Sequence, residues 1–205
     1  MASGSEAASN AAQVVLLDSD FSKMPQVVLE GRRVVNNIQR SASLFLVKNI
    51  FSILTTIFTL IAANLYPLYP TQLSLLGAFT IGTPAFFLAL QPNIIRGDFL
   101  TNVIIKALPA GITDFIMLAV ISIHGAVIGM SNEQISTVAI IVLLIIGMMA
   151  LIRICRPFDW LRALVCIAMG VGIAICLLFF KKIFAIAAIN MVMLNMIIVY
   201  AVVAV

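Results

Sequence analysis

The chain has 205 residues, 63% of them hydrophobic and only 10% charged, with a mean hydropathy of +1.19. Values this far from those of soluble domains identify an integral membrane protein and exclude a water-soluble globular domain. The net charge of +4 and pI near 9.2 follow from basic residues gathered at the ends of apolar stretches and need no nucleic-acid partner.

The first forty residues are small and polar. Ser3 and Glu6 form a capping box that opens a short helix, 13–17 reads as a buried strand, and 18–22 reads as a turn. Ser22 is placed to cap a second helix that carries Pro25 in its first turn. Along that helix Val27, Val28, Gly31, Val34, Val35, Ile38, Ala42 and Phe45 recur at helical spacing, with Arg32, Arg33, Asn36 and Arg40 elsewhere around the axis. No stop signal follows. The helix is therefore predicted to continue from a cytosolic stalk over 25–43 into the first membrane span. One helix and one strand cannot bury a core, so 1–24 reads as the remnant of an α/β domain whose remainder lies upstream.

A bilayer core of about 30 Å needs about 20 residues of helix. Six stretches qualify: 44–63, 73–90, 107–130, 135–152, 161–180 and 183–205. The predicted fold is an all-α integral membrane protein, with a six-helix transmembrane bundle over 44–205 below which the stalk and the small α/β remnant project. Breaks carry turn residues: Pro67 and Pro70, then Pro92, Gly97 and Asp98, then Pro157. Only Lys181 and Lys182 separate the last two stretches, which predicts a tight antiparallel hairpin. Lys23, Arg32, Arg33, Arg40, Lys48, Arg96, Lys106, Arg153, Arg156 and Arg162 lie on one side of the membrane in this reading. Lys181 and Lys182 alone lie on the other, which puts both termini in the cytoplasm of a multi-pass protein of the cell membrane.

The second stretch, TQLSLLGAFTIGTPAFFLAL, is interrupted near its middle by Thr80, Gly82, Thr83 and Pro84. A proline within a span frees a backbone carbonyl that neighbouring protein or a hydrated cavity must satisfy. Two readings stay open, a broken helix lining an ion path and a simple proline kink. Lys48 and Asp114 are charges inside spans, each costing roughly 3 kcal/mol or more at the bilayer centre. Their similar depth, about 11 Å from the cytosolic side at 1.5 Å per residue, leaves two readings, an ion pair between them and a lysine that snorkels away. Asn190 and Asn195 read as interhelical hydrogen-bonding groups, and Gly170 and Gly172 as points of close helix approach. Asp159 and Trp160 read as an interfacial anchor. Cys155, Cys166 and Cys176 read as buried small hydrophobes, and His124 as a packed histidine without metal partners.

The stalk region carries a recognisable pattern. Gly4-Ser5-Glu6-Ala7, then Val15-Leu16-Leu17-Asp18-Ser19-Asp20-Phe21, then Gly31-Arg32 through Asn37-Ile38-Gln39-Arg40 resemble the end of the phosphorylation domain and the hinge into the fifth transmembrane helix of P-type ATPases. The six spans match the last six of that family in number and loop character, and Thr80 to Leu90 is similar to the TIGxPxFFLAL sequence of a bacterial branch of calcium and general cation pumps. The resemblance implies that 1–24 is the end of a HAD-like domain. It also implies an ATP-driven pump that moves calcium or another cation across a bacterial plasma membrane. The phosphorylated aspartate in DKTGT and the GDGxND motif are absent from this chain, so it is expected to bind no cofactor itself. ATP and Mg²⁺ are implied for the parent protein, whose amino-terminal part would be a partner together with the lipid bilayer.

By the same resemblance, the calcium-pump ligands of the first span map to Asn49 and Ser52, and those of the second to Gly77, Thr80 and Ile81. Two carboxylates are thereby missing, and hard divalent cations favour carboxylate oxygens. The expected ion pathway comprises Asn49, Ser52, Thr55, Thr80, Thr83, Pro84 and Asp114, with Asn49, Thr80 and Asp114 as metal ligands and Lys48 as a built-in counter-charge. Neighbouring first and third spans, as in the family, would permit the Lys48–Asp114 contact. Two other readings are a free-standing six-helix subunit, channel-like or structural, and a lipid-moving pump of the same superfamily.

Overall fold

A computed structural model describes residues 4–16, 18, 20–62, 66–89, 99–156 and 158–204, and in it the apolar stretches are helices. In chain order these are α1 (Glu6–Ala11), a 3-10 turn (Phe21–Lys23), α2 (Met24–Ala62), α3 (Pro70–Gly77), a π-helical turn (Ala78–Gly82), α4 (Thr83–Ala89), α5 (Phe99–Ile128), α6 (Asn132–Ile154), α7 (Trp160–Phe179) and α8 (Met191–Ala204). Among the described residues five helical stretches, Phe21–Ala62, Pro70–Leu88, Leu100–Ile128, Asn132–Ile154 and Trp160–Phe179, are long and apolar enough to cross a membrane.

The amino-terminal region departs from the sequence reading in three places. Ser5, not Ser3, caps α1, its Oγ accepting the Ala8 N–H at 3.3 Å; Ser3 lies outside the described residues. The described residues among 13–17 form no strand, and Val14 is 56% exposed. A lone strand has no neighbour to take its N–H and C=O groups, so the apolar run has no ladder to join. Asp20, not Ser22, starts the second helix: its Oδ1 accepts the Ser22 N–H at 3.0 Å across the 3-10 turn. That bond holds the Asp20 carboxyl below its ordinary value of 3.8, so the cap is whole above that pH and is lost as the pH falls below it.

From the cap onward α2 is a single helix of 39 residues, about 58 Å at 1.5 Å per residue. No glycine-plus-proline signal interrupts it, and it carries the chain from the polar stalk region into the bundle. α5 packs along α2. Gly111 makes that approach close, since a Cβ there would meet Ile50 Cβ at 2.9 Å and the Val47 carbonyl at 3.0 Å. α5 itself begins earlier than expected, at Phe99, and holds Pro109 within it. The expected turn residues Pro92, Gly97 and Asp98 lie outside the described residues.

α6 is the centre of the bundle. Val138, Ala139, Ile140, Val142 and Leu151 are wholly buried, and α5, α3, α7, the π turn and α8 all pack on this helix. Its apolar residues run all around the axis, which is what a helix with neighbours on every side requires. A capping box starts it: Ser131 Oγ accepts the Gln134 N–H at 3.3 Å, and Gln134 Oε1 accepts the Ser131 N–H at 3.1 Å.

The carboxy-terminal region corrects the sequence reading most. The expected span over 183–205 is helical only over Met191–Ala204, 14 residues, and the expected α7–α8 hairpin is replaced by packing of α8 on α6. Residues 180–190 form an irregular crossing between α7 and α8. Irregular backbone at membrane depth survives only where protein supplies its hydrogen bonds. Here wholly buried Gln72 donates through Nε2 to the Ala185 carbonyl at 3.2 Å and to Ser136 Oγ at 3.3 Å, and its Oε1 accepts the Tyr69 N–H at 3.2 Å. Thr137 Oγ1, also wholly buried, accepts the Ala187 N–H at 2.9 Å. Asn190 does not join helices as expected; its Oδ1 accepts the Met193 N–H at 2.8 Å and caps α8.

Ala185 is held at φ 47°, a left-handed conformation that costs an L-residue about 1–2 kcal/mol. Gln72→Leu is accordingly expected to destabilise the chain by about 3 kcal/mol, because it strands the Ala185 carbonyl and the Tyr69 amide. Ala185→Gly should instead be neutral or stabilise by up to about 1 kcal/mol. Unfolding of the purified variants in detergent, followed by circular dichroism, reads both; equal stability of Gln72→Leu and the parent would show that the clamp is idle.

Candidate cation pathway

The proline-interrupted helix is neither unwound nor simply kinked. α3 and α4 are joined by the π turn, in which the Thr83 N–H reaches back five residues to the Ala78 carbonyl. Pro84 lacks the N–H that an α-helix would use one residue later, and a turn of wider register absorbs that loss. The turn rests on two glycines. A Cβ on Gly147 of α6 would lie 2.6 Å from Thr80 Cγ2, and one on Gly172 of α7 would overlap the Phe79 ring. Gly172 thus serves the close approach expected of it, whereas Gly170 has only Met148 Cε at 3.8 Å.

A cavity of about 610 Å³ opens between α2, the π turn, α5 and α6. Gln39, Ser43, Arg153 and Arg156 belong to its lining, as do Lys48, Thr80, Thr113 and Asp114; Leu44, Phe51, Leu76 and Leu143 are among the apolar lining residues. Thr80 Oγ1 donates to the Leu76 carbonyl at 2.6 Å, Thr113 Oγ1 to the Pro109 carbonyl at 2.9 Å and Ser43 Oγ to the Gln39 carbonyl at 2.9 Å. Each hydroxyl proton is thereby spent within its own helix, which leaves oxygen lone pairs for whatever fills the cavity. Two buried side-chain atoms in this lining, Asp114 Oδ1 and Gln39 Nε2, have no hydrogen-bond partner.

Of the two readings for Lys48 and Asp114, the ion pair does not form among the described residues. Among the described residues the ion pairs are Lys23–Asp18, Arg33–Glu30 and Arg162–Asp159. Lys48 and Asp114 do line the same cavity, but Lys48 is exposed, and its Nζ lies where a Cβ on Gly77 would be 3.5 Å away. A smaller groove of about 300 Å³ beside Gly77 and Gly82 also carries Lys48, so the lysine borders both spaces. A long flexible lysine finds an open groove cheaper than a buried partner.

The remaining candidates divide. Thr80 joins Asp114 and Lys48 in the cavity, whereas Asn49 is exposed on another face of α2, and Thr83 and Pro84 lie outside the cavity lining. Ser52 and wholly buried Thr55 belong to a different cluster, facing the hydroxyl of Tyr66 in the connection between α2 and α3. Burial pushes the Tyr66 phenol above its ordinary value, and the two neighbouring hydroxyls draw it partly back. Sequence reading missed Gln39, Ser43, Thr113, Gly147 and Tyr66. Gln39 and Ser43 precede Val47 at four-residue intervals, a signal that was available; Tyr66 carried none.

Among the described residues no group of three or more His, Cys, Asp or Glu side chains could hold a metal, and Cys155, Cys166 and Cys176 form no disulfide. His124 Nδ1 lies 2.6 Å from the Tyr200 hydroxyl and ties α5 to α8. Arg162, 4% exposed, anchors the start of α7 through Asp159 at 3.6 Å, while Trp160 is 77% exposed.

No protein-family model matches the chain. It is 35% identical over 174 residues to the probable cation-transporting ATPase exp7 of Streptococcus pneumoniae, covering 80% of this chain and 22% of that protein. It is 37% identical over 180 residues to the calcium-transporting ATPase CtpE of Mycolicibacterium smegmatis (80% of this chain, 23% of the relative). Against CtpE of Mycobacterium bovis the figures are 37% over 188 residues, 84% and 24%. The chain therefore spans about a quarter or less of the length of these relatives. A helical membrane bundle with this similarity is a relative of the cation- and calcium-transporting P-type ATPases, matching one part of such a pump.

Proposed function

We propose that this chain is the carboxy-terminal membrane part of an ATP-driven P-type cation pump, in which the cavity between α2, the π turn, α5 and α6 forms part of the ion path. The observation that carries this reading is the meeting of Lys48, Thr80 and Asp114 in one cavity between apolar helices. An ionisable group placed there is costly and marks a pathway by default. Asp114 supplies charge and Thr80 a neutral oxygen to the passing cation, and Lys48, free of a carboxylate partner, is the cation that takes its place when the site empties. The relatives, a probable cation-transporting ATPase and calcium-transporting ATPases, support calcium or another cation as cargo.

In this reading the amino-terminal half of α2 is the lever that couples the bundle to the rest of the pump, and 1–24 is the end of a HAD-like phosphorylation domain. ATP and Mg²⁺ act on the missing amino-terminal part. The basic-residue asymmetry supports a multi-pass protein of a bacterial plasma membrane with both termini in the cytoplasm. Inverted membrane vesicles holding the full-length pump are the test. ATP is expected to drive uptake of radiolabelled calcium or another cation, Asp114→Asn to abolish it, and the 205-residue chain alone to form no hydroxylamine-sensitive phosphoenzyme. Uptake unchanged by Asp114→Asn would remove the cavity from the path.

A further inference from the structure

Gln39, Ser43, Val47 and Phe51 follow one another at four-residue intervals on α2 and all line the main cavity, so its wall on this helix is about 18 Å long at 1.5 Å per residue. The stalk end of that wall differs from the rest. Ile154 packs there against the buried cluster of Leu44, Ile81 and Ala85, which brings the Gln39–Ser43 turn of α2 to the end of α6 and its two arginines, Arg153 and Arg156. Both arginines are exposed, both line the cavity, and neither belongs to an ion pair among the described residues. Gln39 is the opposite case. It is 4% exposed, it lines the same cavity, and its Nε2 has no hydrogen-bond partner. A buried amide donor left unmade carries a desolvation cost that a bound acceptor removes.

Charge points the same way. The cavity carries Lys48, Arg153 and Arg156 against a single carboxylate, Asp114, and the partial negative charge of about one half at the α6 C-terminus does not cancel that excess. A cation finds only donors at this end. An oxyanion is suited to them, because a guanidinium fork matches two phosphate oxygens and a further oxygen is free to accept the Gln39 N–H.

We infer that Gln39, Arg153 and Arg156 form, at the stalk end of the cavity, a binding site for a phosphate oxyanion, supplied by the headgroup of an anionic phospholipid or by free phosphate. Just inside the rim the walls are apolar, with Leu44, Val47, Met149 and Ala150 among them. Such walls suit a lipid, and half of a hydrocarbon core of about 30 Å is close to the length of the cavity wall. The inference goes beyond the pump reading and does not depend on it. An anion held there masks two positive charges that otherwise repel a cation approaching from that end.

The test uses the whole 205-residue chain in a neutral detergent without ATP. Its unfolding temperature is followed while phosphatidylglycerol, phosphatidylcholine or inorganic phosphate is added, ionic strength being matched with sodium chloride. Phosphatidylglycerol should raise it, and phosphatidylcholine, which has the phosphate but no net charge, should raise it much less. Arg153→Gln with Arg156→Gln should weaken the apparent affinity about tenfold or more, as expected when charge-assisted hydrogen bonds are lost. Both side chains are exposed, so the fold should survive; either single variant is the fallback. Lys181→Gln with Lys182→Gln removes the same charge from another exposed place and should change the affinity less than about twofold. Gln39→Leu should act with two signs, raising the unfolding temperature of the ligand-free chain and weakening the affinity about threefold.

A rise with inorganic phosphate that the double arginine variant loses would assign the site to the free anion, and a rise with phosphatidylglycerol alone would assign it to the lipid headgroup. No rise with either, an equal rise with phosphatidylcholine, or an affinity unchanged in the arginine variant would overturn the site and leave water as the partner of Gln39. No step uses ATP. Transport failing in the full-length pump with binding intact would therefore defeat the pump reading alone, and transport without binding would defeat this inference alone.

Discussion

Asp114→Leu is expected to stabilise the chain, by about 1–3 kcal/mol, because it removes a carboxyl oxygen that is buried without a partner. A buried Lys48–Asp114 pair, one of the two arrangements that sequence depth allows, would give the opposite sign: losing one member of such a pair costs about 3–5 kcal/mol. The two predictions differ by several kcal/mol, so one unfolding experiment decides between them. Lys48→Met should be close to neutral, since the ammonium is exposed beside Gly77 and has no carboxylate among the described ion pairs. The double variant should equal the sum of the single ones to within about 0.5 kcal/mol, as for independent sites. Stability gained at Asp114 should coincide with transport lost in the full-length pump, the expected trade where a strained polar group serves function. Loss of stability in Asp114→Leu, restored by adding Lys48→Met, would show that the two charges do meet.

The second large effect is expected at the glycine cradle of the π turn. Gly147→Ala would set a Cβ 2.6 Å from Thr80 Cγ2, and Thr80 is β-branched and tied to the Leu76 carbonyl at 2.6 Å, so it has little freedom to yield. Overpacking of this kind costs about 1–3 kcal/mol. Displacing Thr80 would also alter the cavity wall, so the full-length pump should lose cation affinity beyond what the stability change explains. Gly172→Ala meets the Phe79 ring, a side chain that smaller residues can replace, so Phe79→Leu should recover part of the loss. Gly170→Ala is the control, with its nearest contact at 3.8 Å, and should be neutral or slightly stabilising. Unfolding of the four variants in one detergent gives the comparison; equal behaviour of Gly147→Ala and Gly170→Ala would show that the π turn is not seated on α6.

Apolar length and basic-residue placement are local properties, and they were enough to find a helical membrane bundle. The continuous helix over Met24–Ala62 was likewise legible, because nothing in that stretch stops a helix. Lys48, Thr80 and Asp114 stood out because charge or a proline-linked hydroxyl inside a span is expensive wherever it sits. What the sequence could not determine was the pairing of elements. No residue in 180–190 forbids helix; that segment is irregular because Gln72 and Thr137, far away in the chain, offer its backbone better-placed partners. Similarly, equal depth along two helices fixes height but not azimuth, so Lys48 and Asp114 reach one cavity without touching, and Asn49, one residue from Lys48, faces away. Tyr66 shows the same limit from the other direction. A tyrosine in a short proline-rich connection carries no signal until folding turns it toward Ser52 and Thr55, because a side chain's partners are set by the packing of helices and not by its neighbours in sequence.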